Sequence, residues 1–273
     1  MMIKKKIKFN LKSVNYLFLR YVFFKKYLKV KINILNSEIK CHAKDVIGRH
    51  LYKYQNHEID NTYYLLNNFY LNSGEVAVDI GANIGWFSIL LNRVSSPDAR
   101  IFSFEPNQNN YALLVENLHQ NKCNNVEAIA KAVSEKNGAS ELYIYPEKNS
   151  GRHSLLHSDG LSKTVVDTVA LNNFFEEDIF RRVKFIKLDI EGFEYFALMG
   201  ASKLLKFAPL VMMELSPNLY RDNAGVPEIV SFMYEHSFKA YKLSANMLSE
   251  IPKNKLLKIN YQTDIFWKKT PNN

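Results

Sequence analysis

From residue 73 onward, short apolar runs alternate with stretches in which apolar residues recur at helical spacing. After the turn at Asn72-Ser73-Gly74, residues 75–80 read as a strand and 85–92 as the start of a helix. Residues 100–105 read as a second strand, and 107–120 as a long helix with Leu113, Leu114 and Leu118 on one face. A third strand is expected over 126–134 and four more over 183–190, 210–215, 238–243 and 263–268, with helices near 194–206 and 227–236. Strands alternating with helices predict a doubly wound α/β sheet of seven mostly parallel strands. The last two strands have no helix-length apolar pattern between them and are expected to pair as an antiparallel hairpin. Between 134 and 183 the alternation breaks, and residues 141–145 and 165–170 read as two extra strands around a loop containing His153 and His157. Upstream, residues 31–40 read as a strand and 61–70 as a short helix. Three units are therefore expected: an arm over 1–31, a small strand and helix extension over 32–73, and the main domain over 74–273.

The chain has 273 residues, 47% hydrophobic and 23% charged, which excludes a wholly disordered chain, a collagen-like fibre and a polytopic membrane protein. Its formal charge of +9 invites a nucleic-acid or anionic-membrane reading until that charge is located. Ten of the 36 basic residues precede residue 32 and none of the 27 acids does, which leaves 26 basic residues against 27 acids in the rest. A near-neutral body argues against a nucleic-acid partner. Within the arm, the apolar run from Val14 to Phe24 contains Arg20 and is too short to span a bilayer, and no small-residue cleavage site follows it. Lysines flanking Tyr, Phe and Leu suit a helix lying on an anionic membrane, or equally a helix packed on the body with its lysines in solvent. The expectation is a cytoplasmic protein, with residues 1–31 as a peripheral contact to the inner face of the membrane. Cys41 and Cys123 are far apart, in no metal or redox spacing, and point to a reducing compartment.

Four motifs then carry the chemistry. The first is Val78-Asp79-Ile80-Gly81-Ala82-Asn83-Ile84-Gly85, where a strand ends, a glycine turn follows and a helix begins. Glycine at 81 permits a positive φ and close approach of a ligand, and Gly85 lets the helix pack on the strand. A carboxylate such as Asp79 suits a ligand with an ammonium group, for example the amino-acid end of S-adenosylmethionine, better than a pyrophosphate. Asn83 stands where a dinucleotide site would have its middle glycine, which disfavours NAD. The second motif, Phe102-Ser103-Phe104-Glu105-Pro106, ends the next strand about twenty residues on, with Glu105 placed to accept both hydroxyls of a ribose. Together the two motifs point to an adenosine-containing cofactor.

The third motif runs from Phe185 to Glu194 and places Asp189 and Glu191 at the exit of the fourth core strand; the fourth ends the next strand at Glu214. Three readings of these acids stand. One of Asp189, Glu191 or Glu214 is a general base for a substrate hydroxyl. Alternatively Asp189 and Glu214 jointly hold a divalent metal, or the acids only cap a helix and orient a loop. The first is preferred, and no metal is expected. His153 and His157 sit over the crevice mouth, where one could act as a base or contact the acceptor; the plain alternative is a solvated loop.

The stretches Asp79–Gly85, Phe104–Asn107, Val166–Leu171 and Ile186–Glu194 together resemble the FkbM-type methyltransferases, over about residues 75–216. The resemblance implies a Rossmann-like class I fold and S-adenosylmethionine-dependent O-methylation of a small-molecule or glycan acceptor. In that family the acceptors are often polyketide hydroxyls or sugars of bacterial surface glycans. It also implies that Asp79, Gly81, Ala82, Asn83 and Gly85 line the methionine end, with Glu58 closing over it. Glu105 and Pro106 would meet the ribose, and the backbone near Ala132 and Val133 the adenine. The family supplies no single agreed base, so Asp189, Glu191, Glu214 and His153 stay as alternatives.

Overall fold

The computed structural model describes residues 16, 26–145, 153–155, 162–220 and 224–270. Most of the basic arm, and His157 with its neighbours, lie outside the described residues. Tyr16 is buried, and its hydroxyl donates to the carbonyl of Ala43 at 2.6 Å. The stretch expected as one strand over 31–40 is a hairpin, β1 (Tyr27–Ile32) paired antiparallel with β2 (Ser37–His42). The alternating pattern continues through both strands, so periodicity alone did not mark the turn. Asn36, at φ 44, closes a one-turn 3-10 segment at Asn33–Leu35 and reverses the chain. Two helices follow, α1 (Val46–Tyr54), which the apolar pattern did not reveal, and α2 (Ile59–Asn68).

The main sheet is built from β3 (Val76–Ile80), β4 (Arg100–Phe104) and β5 (Val126–Ile129) on one side. Helices α3 (Trp86–Arg93) and α4 (Gln108–Gln120) join these three strands. Asn117 of α4 binds the edge of β2 in both directions, accepting from the N–H of Lys40 at 2.7 Å and donating to its carbonyl at 2.9 Å. This contact fastens the N-terminal hairpin to the sheet's helical layer.

The chain between β5 and the second half of the sheet forms a separate three-stranded sheet. Its strands are β6 (Ala132–Val133), β7 (Gly138–Ile144) and β8 (Ser162–Val169), in the order β6-β8-β7. The strand expected over 126–134 is thus two strands in two sheets. A period of two is the same in both, and only the pairing partner changes. Short helices α5 (Leu171–Phe174) and α6 (Glu177–Arg182), which were not expected, lead back to the main sheet at β9 (Val183–Leu188).

The helix expected over 194–206 breaks into α7 (Glu194–Gly200) and α8 (Ser202–Leu205). At the break, a Cβ on Gly200 would stand 1.9 Å from the carbonyl oxygen of Ser134, so only glycine lets the helix pass the small sheet. The chain ends with β10 (Leu210–Leu215), α9 (Val226–Glu235), β11 (Phe238–Ser244), β12 (Met247–Glu250), α10 (Lys253–Leu256) and β13 (Thr263–Lys269).

The sheet order is β12-β11-β13-β10-β9-β3-β4-β5, eight strands where seven were expected. The extra strand is β12, a short, mostly exposed hairpin partner of β11. β11 and β13 do pair antiparallel, with β13 inserted between β10 and β11. β3 to β5, β9 and β10 are parallel, and residues on alternate sides of β3 enter different clusters, Val76, Val78 and Ile80 on one face and Ala77 on the other. Burial on both faces is what a parallel sheet covered by two helical layers requires. The chain leaves β3 toward β4 on one side and meets β9 on the other, so the crevice for a ligand opens at the carboxyl ends of β3 and β9. Together these features make a Rossmann-like α/β fold.

Candidate active site

A cavity of about 340 Å³ opens at the carboxyl ends of β3, β4, β9 and β10, walled also by the α1–α2 region and by residues 153–155. Its floor is the turn after β3. Gly81 has φ +79, and a Cβ there would stand 1.9 Å from the carbonyl oxygen of Asp189. The N–H groups of Gly81 and Ala82 both donate to the carbonyl of Phe104, at 3.0 and 2.9 Å, which ties the turn to the end of β4. Asn83 is held at φ 52, and its N–H donates to Glu105 Oε2 at 2.9 Å. Glu105 Oε1 accepts from the N–H of Asn107, also at 2.9 Å. Burial pushes the Glu105 carboxyl up to about 7, against the pull of these two backbone donors. Pro106, Ala132 and Val133 complete an apolar slot with Phe104, Leu142 and Ile190.

Two expected residues do not reach the wall. Gly85, at φ 97, starts α3, and a Cβ there would press on Leu114. Asp79 is 0% exposed beneath the turn, where Oδ2 accepts from Ser88 Oγ at 2.7 Å. Its Oδ1 lies 3.8 Å from Lys187 Nζ, so the charge of Asp79 is met inside the protein. The sequence reading passed over Lys187, although a lysine inside the apolar run Phe185-Ile186-Lys187-Leu188 was a visible signal of a buried charge. Its Nζ also donates to the carbonyl of Gly81 at 3.0 Å and to Asp189 Oδ2 at 3.2 Å. Burial opposes the charge of Lys187, but Asp189, Asp79 and Glu58 outweigh it and hold the ammonium above the usual lysine range.

The acids expected from the third and fourth motifs converge. Carboxylate oxygens of Asp189, Glu191 and Glu214 lie within 4.8 Å of one another. Glu191 has φ 56, a left-handed conformation that costs a side-chain-bearing residue about 1–3 kcal/mol. Its carbonyl accepts from Ser154 Oγ at 2.8 Å. Burial first, and then the charge of Asp189, pushes Glu214 up to about 9, so it carries its proton at neutral pH. Three acids at this separation could share a proton or take up a cation.

Opposite them stands Glu58, at φ 41, whose Oε2 accepts from Asn61 Nδ2 at 3.0 Å. The same Asn61 nitrogen donates to Asp264 Oδ2 at 2.8 Å, at the start of β13. Burial, Asp264 and Asp189 push Glu58 up to about 8. Residues 58, 61 and 264 come together only because β13 lies beside β10, and no spacing in the sequence signals it. His57 was likewise missed. It lines the cavity edge-on to Trp86, at 5.8 Å between ring centroids, and burial pulls it down to about 4.

His153 also reaches the cavity, and its Nδ1 accepts from the N–H of Tyr145 at 3.1 Å. Burial lowers it to about 4, so at neutral pH it carries one proton, and that proton sits on Nε2. The ring therefore offers the cavity a donor at Nε2.

Known proteins resemble this chain in sequence and fold. A hexuronic acid methyltransferase, AglP, of Haloferax volcanii is 24% identical over 141 residues, which are 52% of this chain and 56% of that protein. A crystal structure of an FkbM methyltransferase from Methylobacillus flagellatus superposes with a TM-score of 0.51 at 16% identity, covering 77% of this chain and 48% of the other. The chain thus spans about half the length of these relatives, and the structural likeness identifies the fold as that of the class I methyltransferases. Residues 79–240, more than half of the chain, match the methyltransferase FkbM domain. That span includes the glycine turn, Glu105 and the three converging acids, and by it the chain belongs to the FkbM methyltransferase family.

Proposed function

We propose that the chain transfers a methyl group from S-adenosylmethionine to a hydroxyl of a saccharide or of a glycan or glycolipid precursor. The observation that carries this reading is one cavity with a ribose-type carboxylate, Glu105, on one side and three converging acids on the other. The wall suits the cofactor. Asn83 Oδ1 is buried beside the glycine turn with no hydrogen-bond partner, as an acceptor awaiting a ligand donor would be. The backbone of Gly81, Ala82 and Asn83 would hold the methionine end, Glu105 the ribose, and Pro106, Ala132 and Val133 the adenine. The cofactor supplies an electrophilic methyl group on a sulfonium.

The chain's own part is to align the acceptor hydroxyl and take its proton. Glu214, protonated at neutral pH, is a hydrogen-bond donor to the acceptor, which leaves Asp189 and Glu191 to receive the proton. Lys187 fixes the direction of the Asp189 carboxylate through its 3.2 Å contact. The Haloferax relative, by its name a hexuronic acid methyltransferase, supports a saccharide acceptor. Among the described residues no helix is long and apolar enough to cross a membrane. The basic residues of the arm support a peripheral contact with an anionic membrane surface at the cytoplasmic face.

Calorimetric titration with S-adenosylhomocysteine, followed by transfer of labelled methyl to glycan precursors, tests the reading. Asp189→Asn, which removes a proton acceptor, and Glu214→Ala, which removes the donor, should keep product binding and lose turnover. Failure of the intact protein to bind the product below about millimolar would sink the reading.

A further inference from the structure

Helix α1 has two unlike faces. Gly48 and Leu51 are buried, and Ile47, half-buried, lines the cavity together with Leu51. The other face carries Val46, Arg49, His50 and Lys53, three and four residues apart, with Tyr54 at its edge. Val46 is 43% exposed and Tyr54 48%, and the Tyr54 ring lies against that of His50 with centroids 4.6 Å apart. Val46 also lines the cavity, so this outward face begins at the cavity mouth. From Lys44 to His57 the one acid is Asp45. It is buried as the helix N-cap, where Oδ2 accepts from the N–H of Ile47 at 3.2 Å. A helix face that meets only water mixes both signs of charge. Bases interleaved with aliphatic and aromatic side chains, with no acid, suit the headgroup layer of an anionic bilayer.

The basic arm joins the described structure at the same place. The Tyr16 hydroxyl holds the carbonyl of Ala43, its ring lies 5.8 Å from that of Tyr52, and Lys53 Nζ stands 5.9 Å over it. Where the arm runs into β1, the carbonyl of Lys26 accepts from the N–H of Ala43 at 2.9 Å. Both anchors therefore meet at Ala43, two residues before the N-cap of α1. Residues 1–25 hold seven basic residues and no acid, so their charge is tethered beside the basic face of the helix.

We propose that the outward face of α1, with the charge of the arm tethered to it, docks on an anionic phospholipid bilayer and turns the cavity mouth toward the lipid. The arm alone would give attachment without orientation, and α1 adds a fixed face at the mouth. A bilayer in that place presents a membrane-held saccharide directly to the cavity, a consequence that rests on the methyltransferase reading above.

The test uses the full chain with vesicles of phosphatidylglycerol and phosphatidylcholine in equal parts. Each basic residue near such a surface is worth roughly fivefold in affinity, so Lys44→Glu, Arg49→Glu and Lys53→Glu combined should weaken binding at least about tenfold. The same charge change at three exposed lysines on other elements, Lys136→Glu, Lys206→Glu and Lys258→Glu, should leave binding within about threefold of native. Brominated lipid in the vesicles should quench the fluorescence of the Tyr54→Trp variant. It should leave the unmodified protein, whose Trp86 and Trp267 are buried, unquenched.

Equal losses in the two triple variants would reduce the effect to net charge and overturn the proposal. Tyr54→Trp fluorescence that brominated lipid does not quench would overturn it too, since the arm alone would then make the contact. Absence of vesicle binding by the unmodified protein, or equal binding to pure phosphatidylcholine, has the same consequence. Affinity for S-adenosylhomocysteine, measured without vesicles, should be unchanged in both triple variants. Failure of the unmodified protein to bind that product would instead count against the methyltransferase reading and leave the vesicle results standing.

Discussion

Replacing Glu105 by glutamine separates the two tasks assigned to that side chain. Each carboxylate oxygen holds one backbone N–H, Asn107 on Oε1 and Asn83 on Oε2, both at 2.9 Å. A glutamine has one acceptor oxygen, so either way round one of those donors would face an NH₂ group. Glu105 is 5% exposed, so water does not replace the lost acceptor, and an unsatisfied buried donor costs about 1–3 kcal/mol of stability. The ribose hydroxyls would lose a charged acceptor, worth about 1.5–3 kcal/mol, or roughly a 10- to 150-fold weaker affinity. Calorimetry with S-adenosylhomocysteine at pH 8 reads the second quantity, and thermal unfolding without ligand reads the first. Because Glu105 sits near 7 and only its ionised form is a full acceptor, product affinity should rise from pH 6 to pH 8 in the native protein. That part of the rise should vanish in Glu105→Gln. If the variant loses stability yet binds the product within about threefold of native at pH 8, Glu105 serves the turn alone and the ribose lies elsewhere.

Gly81→Ala should lower both stability and product binding, because its Cβ would overlap the carbonyl of Asp189 at 1.9 Å and φ +79 is strained for alanine. The expected loss is about 3 kcal/mol or more, and a melting point lowered by under about 2 °C would contradict it. Lys187→Met removes the cation between Asp79 and Asp189 and should cost about 3–5 kcal/mol at pH 8, read by denaturant unfolding. Burial raises the Asp79 carboxyl, so the cost should shrink in acid; an equal cost at pH 5 and pH 8 would refute this. The melting point of the unliganded protein should fall between pH 6.5 and 9. Glu105 and Glu194 are pushed up to about 7, Glu58 to about 8 and Glu214 to about 9, so the folded state binds more protons than the unfolded one in this window. Below pH 6.5, His57 and His153, both lowered to about 4, work in the opposite direction. A melting point that is flat or rising from 6.5 to 9 would show that these carboxyls are not buried as described.

The sequence by itself determined the parts whose cause is local. A strand, a glycine turn and a helix at 76–93 follow from neighbouring residues, since Gly81 permits the turn's positive φ. Glu105, at the end of the next strand, faces the same crevice because parallel strands joined by helices present their carboxyl ends together. The segregation of positive charge before residue 32 is likewise complete in the sequence.

Tertiary structure decided what depends on who lies beside whom. The period of two did not say that residues 132–133 leave for another sheet, nor that β12 adds an eighth strand. It did not place β13 beside β10, which is what brings Asp264 to Asn61 and Glu58. The pairing of buried charges was also out of reach. Asp79 reads in the sequence as a ligand carboxylate and is buried against Lys187. Burial and the neighbouring charge decide that, and both are properties of the packed chain.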